Sequence, residues 1–295
     1  MSHAIIIPIY CENRNTINLC NELQNFGAEH IVVVNDGLNP KSEYFNELTS
    51  IGCHLVHLKN NNGKGASLKA GIKYAHDNLY NITGYITCDA DGQHTANDVM
   101  KISRMLDLRN GSLILGKRDY KKSKMPINIR IGNRLSSAYF KVITGKSCRD
   151  TQTGLRGIPA FLYDTVMKTK GSRFDFEMNF LTKCADMRVP FYFVNIIADC
   201  SNCSSNFRLI KDTYLIYRTP LRFATASIGC TIIDLVLFTI FAYILPSHMF
   251  FNIMLATLMA RVVSGGINFL INRKVIFGNT DNGAKQALRF FILFF

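Results

Sequence analysis

The residues best placed to do chemistry are two acids one position apart, Asp89 and Asp91. They lie in Gly-Tyr-Ile-Thr-Cys-Asp-Ala-Asp-Gly-Gln-His, from Gly84 to His94. An apolar, β-type run climbs to Cys88, delivers both carboxylates and breaks at Gly92. In extended backbone, residues two apart share a face, so both carboxylates can point into one space at the strand's end. Two anions that close call for a cation. Mg²⁺ and Mn²⁺ are hard ions that take one or two protein carboxylates and complete their shells with phosphate oxygens and water. The pattern points to a metal–diphosphate site with Asp89 and Asp91 as metal ligands. A strand that simply ends in an Asp-Gly turn gives the same residues, and taken alone these positions fit the turn better.

The elements that must position the acids shift that balance. Ala4–Tyr10, His30–Val34, Cys53–Leu58 and Ile82–Cys88 are apolar runs of the kind found in strands buried on both faces, and Leu113–Gly116 is a short fifth. Helical stretches at Asn13–Phe26, Lys41–Ile51, Ala66–Leu79 and Asn97–Leu108 separate them, and Val189–Ile197 reads as one more strand. Alternation at this spacing predicts an α/β fold with a Rossmann-like, mostly parallel sheet. Such sheets bind ligands beyond the carboxyl ends of their strands. Those ends carry Tyr10 and Glu12, then Asp36, then Asp89 and Asp91, then Lys117 and Arg118. Polar groups at successive strand ends form a constellation, which a chance turn does not explain.

Two nucleotide motifs are excluded. The turn Asn60-Asn-Asn-Gly63-Lys64-Gly65 lacks the first glycine of a P-loop, since position 58 is Leu, and Gly rather than Ser or Thr follows Lys64. Leu68 occupies the third glycine site of a dinucleotide fingerprint. Lys64 is left as a cation that can reach an anion from a flexible turn. The stretch Lys117–Arg134 is dense in Lys and Arg with Asp119 its one acid, and reads as a solvated loop or an anion-facing lid.

The chain has 295 residues and a formal net charge of +13, which suits an anionic partner. No nucleic-acid reader motif occurs, so nucleic acid is not expected among the partners. Nine cysteines, most of them in apolar runs (Cys20, Cys88, Cys184, Cys230), read as buried free thiols in a reducing compartment. Cys200-Ser-Asn-Cys203 has no second pair to complete a zinc site. The first ten residues lack the basic start of a signal peptide.

Hydrophobicity then rises sharply. Phe223–Leu245 and Met249–Ile271 are each apolar enough and, at about 1.5 Å per helical residue, long enough to cross about 30 Å of hydrocarbon. Arg208–Arg222 carries Tyr214, Tyr217, Arg218 and Arg222 at the spacing of an interfacial helix. Arg218 and Arg222 precede the first span, Arg273 and Lys274 follow the second, and the link Pro246-Ser-His has neither Lys nor Arg. The positive-inside rule places both ends, and the enzyme-like part, in the cytoplasm, giving a multi-pass protein of the cell membrane. Asp234 and Arg261 sit near the middle of their spans at similar depth and can form an intramembrane pair. Ala287–Phe295 opens a third apolar run that stops short of the roughly 20 residues a span needs. The expected organisation is residues 1–207 as an enzyme domain, 208–222 as a juxtamembrane segment and 223–295 as a transmembrane domain.

Six motifs in one order carry a resemblance: Ile7-Pro-Ile-Tyr-Cys-Glu12, Val32-Val-Val-Asn-Asp-Gly37, Asn62-Gly-Lys-Gly-Ala66, Asp89-Ala-Asp-Gly-Gln-His94, Gly116-Lys-Arg118 and Asp150-Thr-Gln-Thr-Gly-Leu-Arg156. Residues 1–210 resemble inverting glycosyltransferases of the GT-A type, most of all the dolichyl-phosphate mannosyltransferase-like polyprenyl-phosphate sugar synthases. Residues 222–277 resemble the first half of GtrA-like membrane domains, through Asn268-Phe-Leu-Ile-Asn-Arg273 and Phe277.

The resemblance implies a donor site in which Pro8, Tyr10, Glu12, Val34 and Asp36 hold the nucleoside of a UDP- or GDP-sugar. It implies Asp89, Ala90, Asp91, Gln93 and Lys64 around the metal and diphosphate, and Arg118 on phosphate. Gln152, Arg156, Ser205 and Arg208 then face the acceptor, a polyprenyl phosphate whose simplest choice is undecaprenyl phosphate. The family often has two Asp and a Ser where this chain has Asn35-Asp36-Gly37-Leu38, which leaves the base open. The chain has no Trp, so the signature of processive polysaccharide synthases is absent and transfer of a single sugar is expected.

In that chemistry a metal on Asp91 and the Arg118 cation offset charge developing on the leaving diphosphate. A lipid phosphate, with its second pKa near 6, is already mostly ionised at neutral pH and needs no strong base. Asp150 orients acceptor or sugar, or takes the proton if the acceptor is a hydroxyl. Two other readings stay open: a membrane-anchored transferase acting directly on a polymer or protein, and a non-enzymatic protein handling lipid-linked sugars. A homo-oligomer through the membrane helices is a further expectation.

Overall fold

A computed structural model of the chain describes residues 2–118, 127–197, 209–245 and 250–271. Two units emerge, Met1–Asp212 and Thr213–Phe295.

The first unit is built on a seven-stranded sheet. Its strands are β1 (Ser2–Ile9), β2 (His30–Asp36), β3 (His54–Leu58), β4 (Ile82–Thr87), β5 (Leu113–Arg118), β6 (Arg156–Pro159) and β7 (Phe191–Ile196), in the order β3-β2-β1-β4-β6-β5-β7. Strands β1 to β4 pair in parallel, as do β5 and β7, while β6 runs antiparallel between β4 and β5. The α/β expectation holds, with one strand more than the apolar runs disclose. Strand β6 is short and opens on an arginine, so its sequence carries no strand signal of its own.

The β1 and β2 side chains are buried on both faces. Ile5, Ile7 and Ile9 enter one core with Ile31 and Val33, whereas Ala4 and Ile6 enter the other with Val32 and Val34. Helices α1 (Arg14–Asn25), α2 (Glu43–Ser50) and α4 (Ala96–Leu108) bury Leu23, Phe45 and Ile102 in the first core. Helices α3 (Lys64–Asn78), α6 (Tyr163–Lys168) and α7 (Asp175–Asp186) bury Ile72, Val166 and Phe180 in the second. Helix α1 starts on an Asn13 cap that accepts the Asn15 amide, and α4 on a Thr95 cap that accepts the Asp98 amide.

The basic stretch after β5 is partly helical. Helix α5 (Ile127–Thr144) occupies its second half and continues beyond it, while residues 119–126, including Asp119, lie outside the described residues.

Helix α8 (Leu209–Ile244) runs without a break through most of the expected juxtamembrane segment and into the first span of the second unit. Helix α9 (Phe250–Ile271) follows. Two stretches, Thr225–Ile244 and Phe251–Ile271, are long and apolar enough to cross a membrane. The expected third run at residues 287–295 lies outside the described residues, as do Pro246-Ser-His, Arg273 and Lys274. Ala256, Ala260 and Ser264 form the buried stripe of α9, the small-residue spacing that lets helices approach closely in lipid. Asp234 accepts a hydrogen bond from the Ser264 hydroxyl at 2.7 Å. The expected pairing of Asp234 with Arg261 is therefore corrected. Arg261 lies on the exposed side of α9 while Ser264 is buried. Equal depth along two helices does not fix which face each residue takes.

At the amino end of the sheet, buried His3 bonds Ser103 Oγ through Nδ1 at 2.8 Å and meets Asp107 through Nε2 at 3.2 Å. Burial lowers the His3 pKa from its ordinary value and outweighs the Asp107 carboxylate, which acts to raise it. His54 is lowered too, by burial and then by His30. A histidine with a depressed folded pKa stabilises the fold above the unfolded pKa, near 6.5, and that contribution is lost as pH falls through the folded value. The melting temperature of the detergent-purified chain should therefore fall between about pH 7 and about pH 5, and His3→Gln should flatten part of that slope. An unchanged slope in the variant would remove His3 from the cause.

Candidate active site

The acids Asp89 and Asp91 sit just past the carboxyl end of β4, and the turn that carries them is braced on every side. Thr16 Oγ1 of α1 donates to the Ala90 carbonyl at 3.1 Å. Gly92, at φ +85°, packs against the Asn15 side chain so closely that a Cβ would lie 2.7 Å from its Nδ2. Gln93 bridges the two acids. Its Nε2 donates to Asp89 Oδ2 at 2.7 Å and to Asp91 Oδ2 at 3.2 Å, and its main-chain N–H donates to Asp91 Oδ1 at 3.1 Å.

The two carboxylates are not equivalent. Asp89 lies 2.6 Å from Lys64 Nζ at the start of α3 and 3.6 Å from His94 Nε2. Burial alone would raise its pKa, but Lys64 and then His94 hold it well below the usual carboxylate range. Asp91 forms no ion pair with either, and burial followed by the neighbouring Asp89 charge pushes its pKa up against the smaller opposing pull of the Gln93 amide, His94 and Lys64. Tyr10, at the end of β1, feels the same field: burial, Cys11 and Asp91 push it to about 12. A raised carboxylate pKa marks negative charge short of compensation. That, with a donor set of hard carboxylate oxygens, fits a divalent cation centred on Asp91. Among the described residues no group of three or more His, Cys, Asp or Glu converges, so phosphate and water would complete the shell, as Mg²⁺ and Mn²⁺ prefer.

Lys64 also reaches Glu177 Oε1 of α7 at 3.2 Å, and Glu177 lies 3.8 Å from Arg156 Nη2. The result is an alternating chain of charge, Asp89, Lys64, Glu177, Arg156. Burial lowers the Lys64 pKa and the carboxylates of Asp89 and Glu177 more than restore it, leaving it raised. Glu177 has no place among the site residues expected from the sequence. A carboxylate inside an apolar run, Phe174-Asp-Phe-Glu-Met-Asn179, is itself the signal that it has a buried partner.

Residues 150–156 form the opposite wall, and here three expectations are corrected. Arg118 was expected to grip phosphate, and Asp150 to orient the acceptor or take a proton. They bind each other: Arg118 Nε and Nη2 donate to the Asp150 carboxylate at 2.7 and 2.8 Å, and Asp150 is wholly buried. Arg156 was expected on lipid phosphate, but it donates to the carbonyls of Thr153, Glu177 and Thr151 at 2.9, 3.0 and 3.1 Å. Buried guanidinium and carboxylate groups need partners, and these shape the wall from within. Thr151 is held by Asn133 and Ser136 of α5, and the Gly154 carbonyl accepts from Thr87 Oγ1 of β4 at 2.7 Å. Gly154 backs directly onto Asp89, where a Cβ would lie 2.0 Å from Oδ2. Gln152 is half-buried beside Gly132. Ser205 and Arg208 lie outside the described residues.

The expected nucleoside residues gather at the ends of β1 and β2. Pro8 and Val34 are buried register partners, and Glu12 is exposed just beyond Tyr10. Asp36 spends both oxygens on the main chain, accepting Asn62 N–H at 2.7 Å and Gly63 N–H at 2.9 Å. Gly37, at φ +90°, leaves no room for a Cβ against Asn61 N, 2.6 Å away. Asp36 thus sets the loop that aims Lys64. Asn35 closes its turn by exchanging hydrogen bonds with Leu38.

The comparisons decide the family. A profile described as glycosyl transferase family 2 matches residues 4–164, more than half of the chain. The chain belongs to that family. It is a glycosyltransferase, and a second profile, the GtrA/DPMS transmembrane domain, matches residues 222–295 and makes it a membrane protein. An uncharacterized protein of Methanocaldococcus jannaschii is 32% identical over 188 residues, 60% of this chain and 73% of that one. The UDP-N-acetylglucosamine–dolichyl-phosphate N-acetylglucosaminyltransferase of Methanococcus voltae is 29% identical over 172 residues, 52% of this chain and 67% of that one. Among solved structures, glucosyl-3-phosphoglycerate synthase of Mycobacterium tuberculosis bound to UDP superposes with a TM-score of 0.56 at 12% identity, covering 74% of this chain and 79% of that one. That likeness shows a shared GT-A-like fold.

The pairing of Arg118 with Asp150 makes a stability prediction. Removing one partner of a buried ion pair costs about 3–5 kcal/mol, so Arg118→Ala should lower the melting temperature sharply, and the double variant with Asp150→Ala should recover part of the loss. Loss of activity in Arg118→Ala at unchanged melting temperature would instead return Arg118 to the phosphate role.

Proposed function

We propose that this glycosyltransferase moves a single sugar, with inversion, from a UDP- or GDP-sugar to a polyprenyl phosphate at the cytoplasmic face of the membrane. The observation that carries the reading is the unequal acid pair: Asp89 neutralised by Lys64, Asp91 left short of positive charge. Nucleotide-sugar chemistry needs such a site, because negative charge grows on the departing diphosphate. A Mg²⁺ or Mn²⁺ ion held by Asp91, with Asp89 beside it, supplies that charge when bound. Solved neighbours of the same fold were obtained with Mn²⁺ and UDP, and with Mg²⁺ and UDP.

The chain's own residues do the rest. Gln93 fixes both carboxylates in one orientation, so the acid pair is set before a donor arrives. Tyr10, Pro8 and Val34 line the carboxyl ends of β1 and β2, where the nucleoside would lie, and Asp36 holds the loop bearing Lys64. Gln152, half-buried in the 150–156 loop, is the residue of that loop that would meet the acceptor. A lipid phosphate there needs no base, since it is already mostly ionised near pH 7. Direct transfer to a hydroxyl needs one, and Asp150, the acid expected for that task, is wholly buried and held bidentately by Arg118. That contact favours a phosphate acceptor over a polymer or protein hydroxyl. The match to a GtrA/DPMS transmembrane domain and the dolichyl-phosphate substrate named for the Methanococcus voltae relative support the same choice.

Purified chain incubated with labelled UDP- and GDP-sugars and a polyprenyl phosphate should give a lipid-extractable, acid-labile product, abolished by Asp91→Ala and by excess EDTA. Label appearing in protein or polymer would overturn the acceptor, and full activity in EDTA would overturn the metal.

A further inference from the structure

His94 closes the turn that carries the two acids and stands directly ahead of the Thr95 cap of α4. Its side chain is 1% exposed. Among the described residues, neither its Nδ1 nor its Nε2 has a hydrogen-bond partner. A buried imidazole left in this state costs stability that an apolar side chain of the same shape would not. The ring also has a direction. Nε2 lies 3.6 Å from Asp89 Oδ2, just outside hydrogen-bond range.

Gln93 holds the bond that His94 lacks. Its Nε2 donates to Asp89 Oδ2 at 2.7 Å and to Asp91 Oδ2 at 3.2 Å. That amide fills the space between the two carboxylates, where a cation shared by them must lie. An N–H donor and a cation both present positive charge, so Gln93 has to give up the bridge when a cation is held there. Asp89 then loses a donor. Its other oxygen stays on Lys64 at 2.6 Å, and Gly154 backs so closely onto Oδ2 that the carboxylate has little room to turn away. We infer that His94 is the alternate donor to Asp89, a positioning residue whose Nε2–H takes over Oδ2 as Gln93 leaves and keeps the carboxylate aimed at the cation. A shift of about half an ångström brings the pair into range. Partners of this kind behind a metal-binding carboxylate fix its orientation and sustain its affinity. The inference rests on the cation reading of Asp89 and Asp91 in the proposed function.

Three substitutions separate the donor from the ring. The amide of His94→Gln reaches the place of Nε2, that of His94→Asn the place of Nδ1, and His94→Phe keeps a ring with no donor. Mn²⁺ binding to the full chain with UDP or GDP, read by electron paramagnetic resonance, should weaken about tenfold or more in His94→Phe and His94→Asn. His94→Gln should restore most of it. A packing role predicts the reverse order, with His94→Phe nearest to wild type, and that order would overturn the inference. Equal Mn²⁺ affinity in all four chains would overturn it too. Wild-type chain that binds no Mn²⁺ with either nucleotide would remove the cation reading itself, and this inference with it. A second measurement needs no variant to fold. In wild-type chain with isotope-labelled histidine, saturating Mg²⁺ and nucleotide should give one of the seven imidazoles a slowly exchanging, hydrogen-bonded N–H in the nuclear magnetic resonance spectrum. Imidazole signals that stay unchanged at saturation would overturn the inference.

Discussion

Lys64 is the cation on which the rest of the site depends. It stands at the first turn of α3, between an acid at the end of β4 and an acid at the start of α7. Without it, Asp89 and Asp91 would be two adjacent partly buried anions, an arrangement that neutralises itself by protonation. With it, Asp89 stays ionised and the unmet charge is confined to Asp91. Its placement requires the Asp36 carboxylate to gather the amides of Asn62 and Gly63, and requires Gly37 to let that loop approach. Glu177 holds the other side and is backed by Arg156, which in turn shapes residues 151–153. One ion pair thus links the donor end of the sheet to the loop facing it.

Buried charge rarely adds net stability compared with apolar packing, so a chain of four such groups is retained for what it positions. The same logic explains why several residues expected to touch ligand are turned inward. Arg118, Asp150 and Arg156 look catalytic in sequence, yet Arg118 and Asp150 bind each other and Arg156 donates to main-chain carbonyls. They give the site its shape, and in the proposed function Asp91 and Gln93 are the groups that would meet an incoming diphosphate.

Much of this was legible in the sequence. Continuous apolar runs ending in polar residues marked six of the seven strands, and the ends of those strands named the acids correctly as neighbours. Strand β6 escaped because an antiparallel insertion of four residues, Arg-Gly-Ile-Pro, has neither length nor periodicity. Helix α5 escaped because its basic residues dominated the reading while Ile131, Leu135 and Val142 are exposed, so no core-facing pattern stood out. Pairings over long separations, such as Arg118 with Asp150, are not visible in one sequence at all. In the membrane unit, depth predicted a meeting of Asp234 and Arg261, but helix rotation brought Ser264 to Asp234 instead.

The claim on which everything else rests is that Asp91 and a nucleoside diphosphate together make a divalent-cation site. Equilibrium Mn²⁺ binding followed by electron paramagnetic resonance, with and without UDP or GDP, tests it directly. The account predicts a single saturable site that forms only with nucleotide and vanishes in Asp91→Ala while nucleotide-independent folding is kept. Mn²⁺ binding of equal strength in wild type and Asp91→Ala, with nucleotide present, would contradict it.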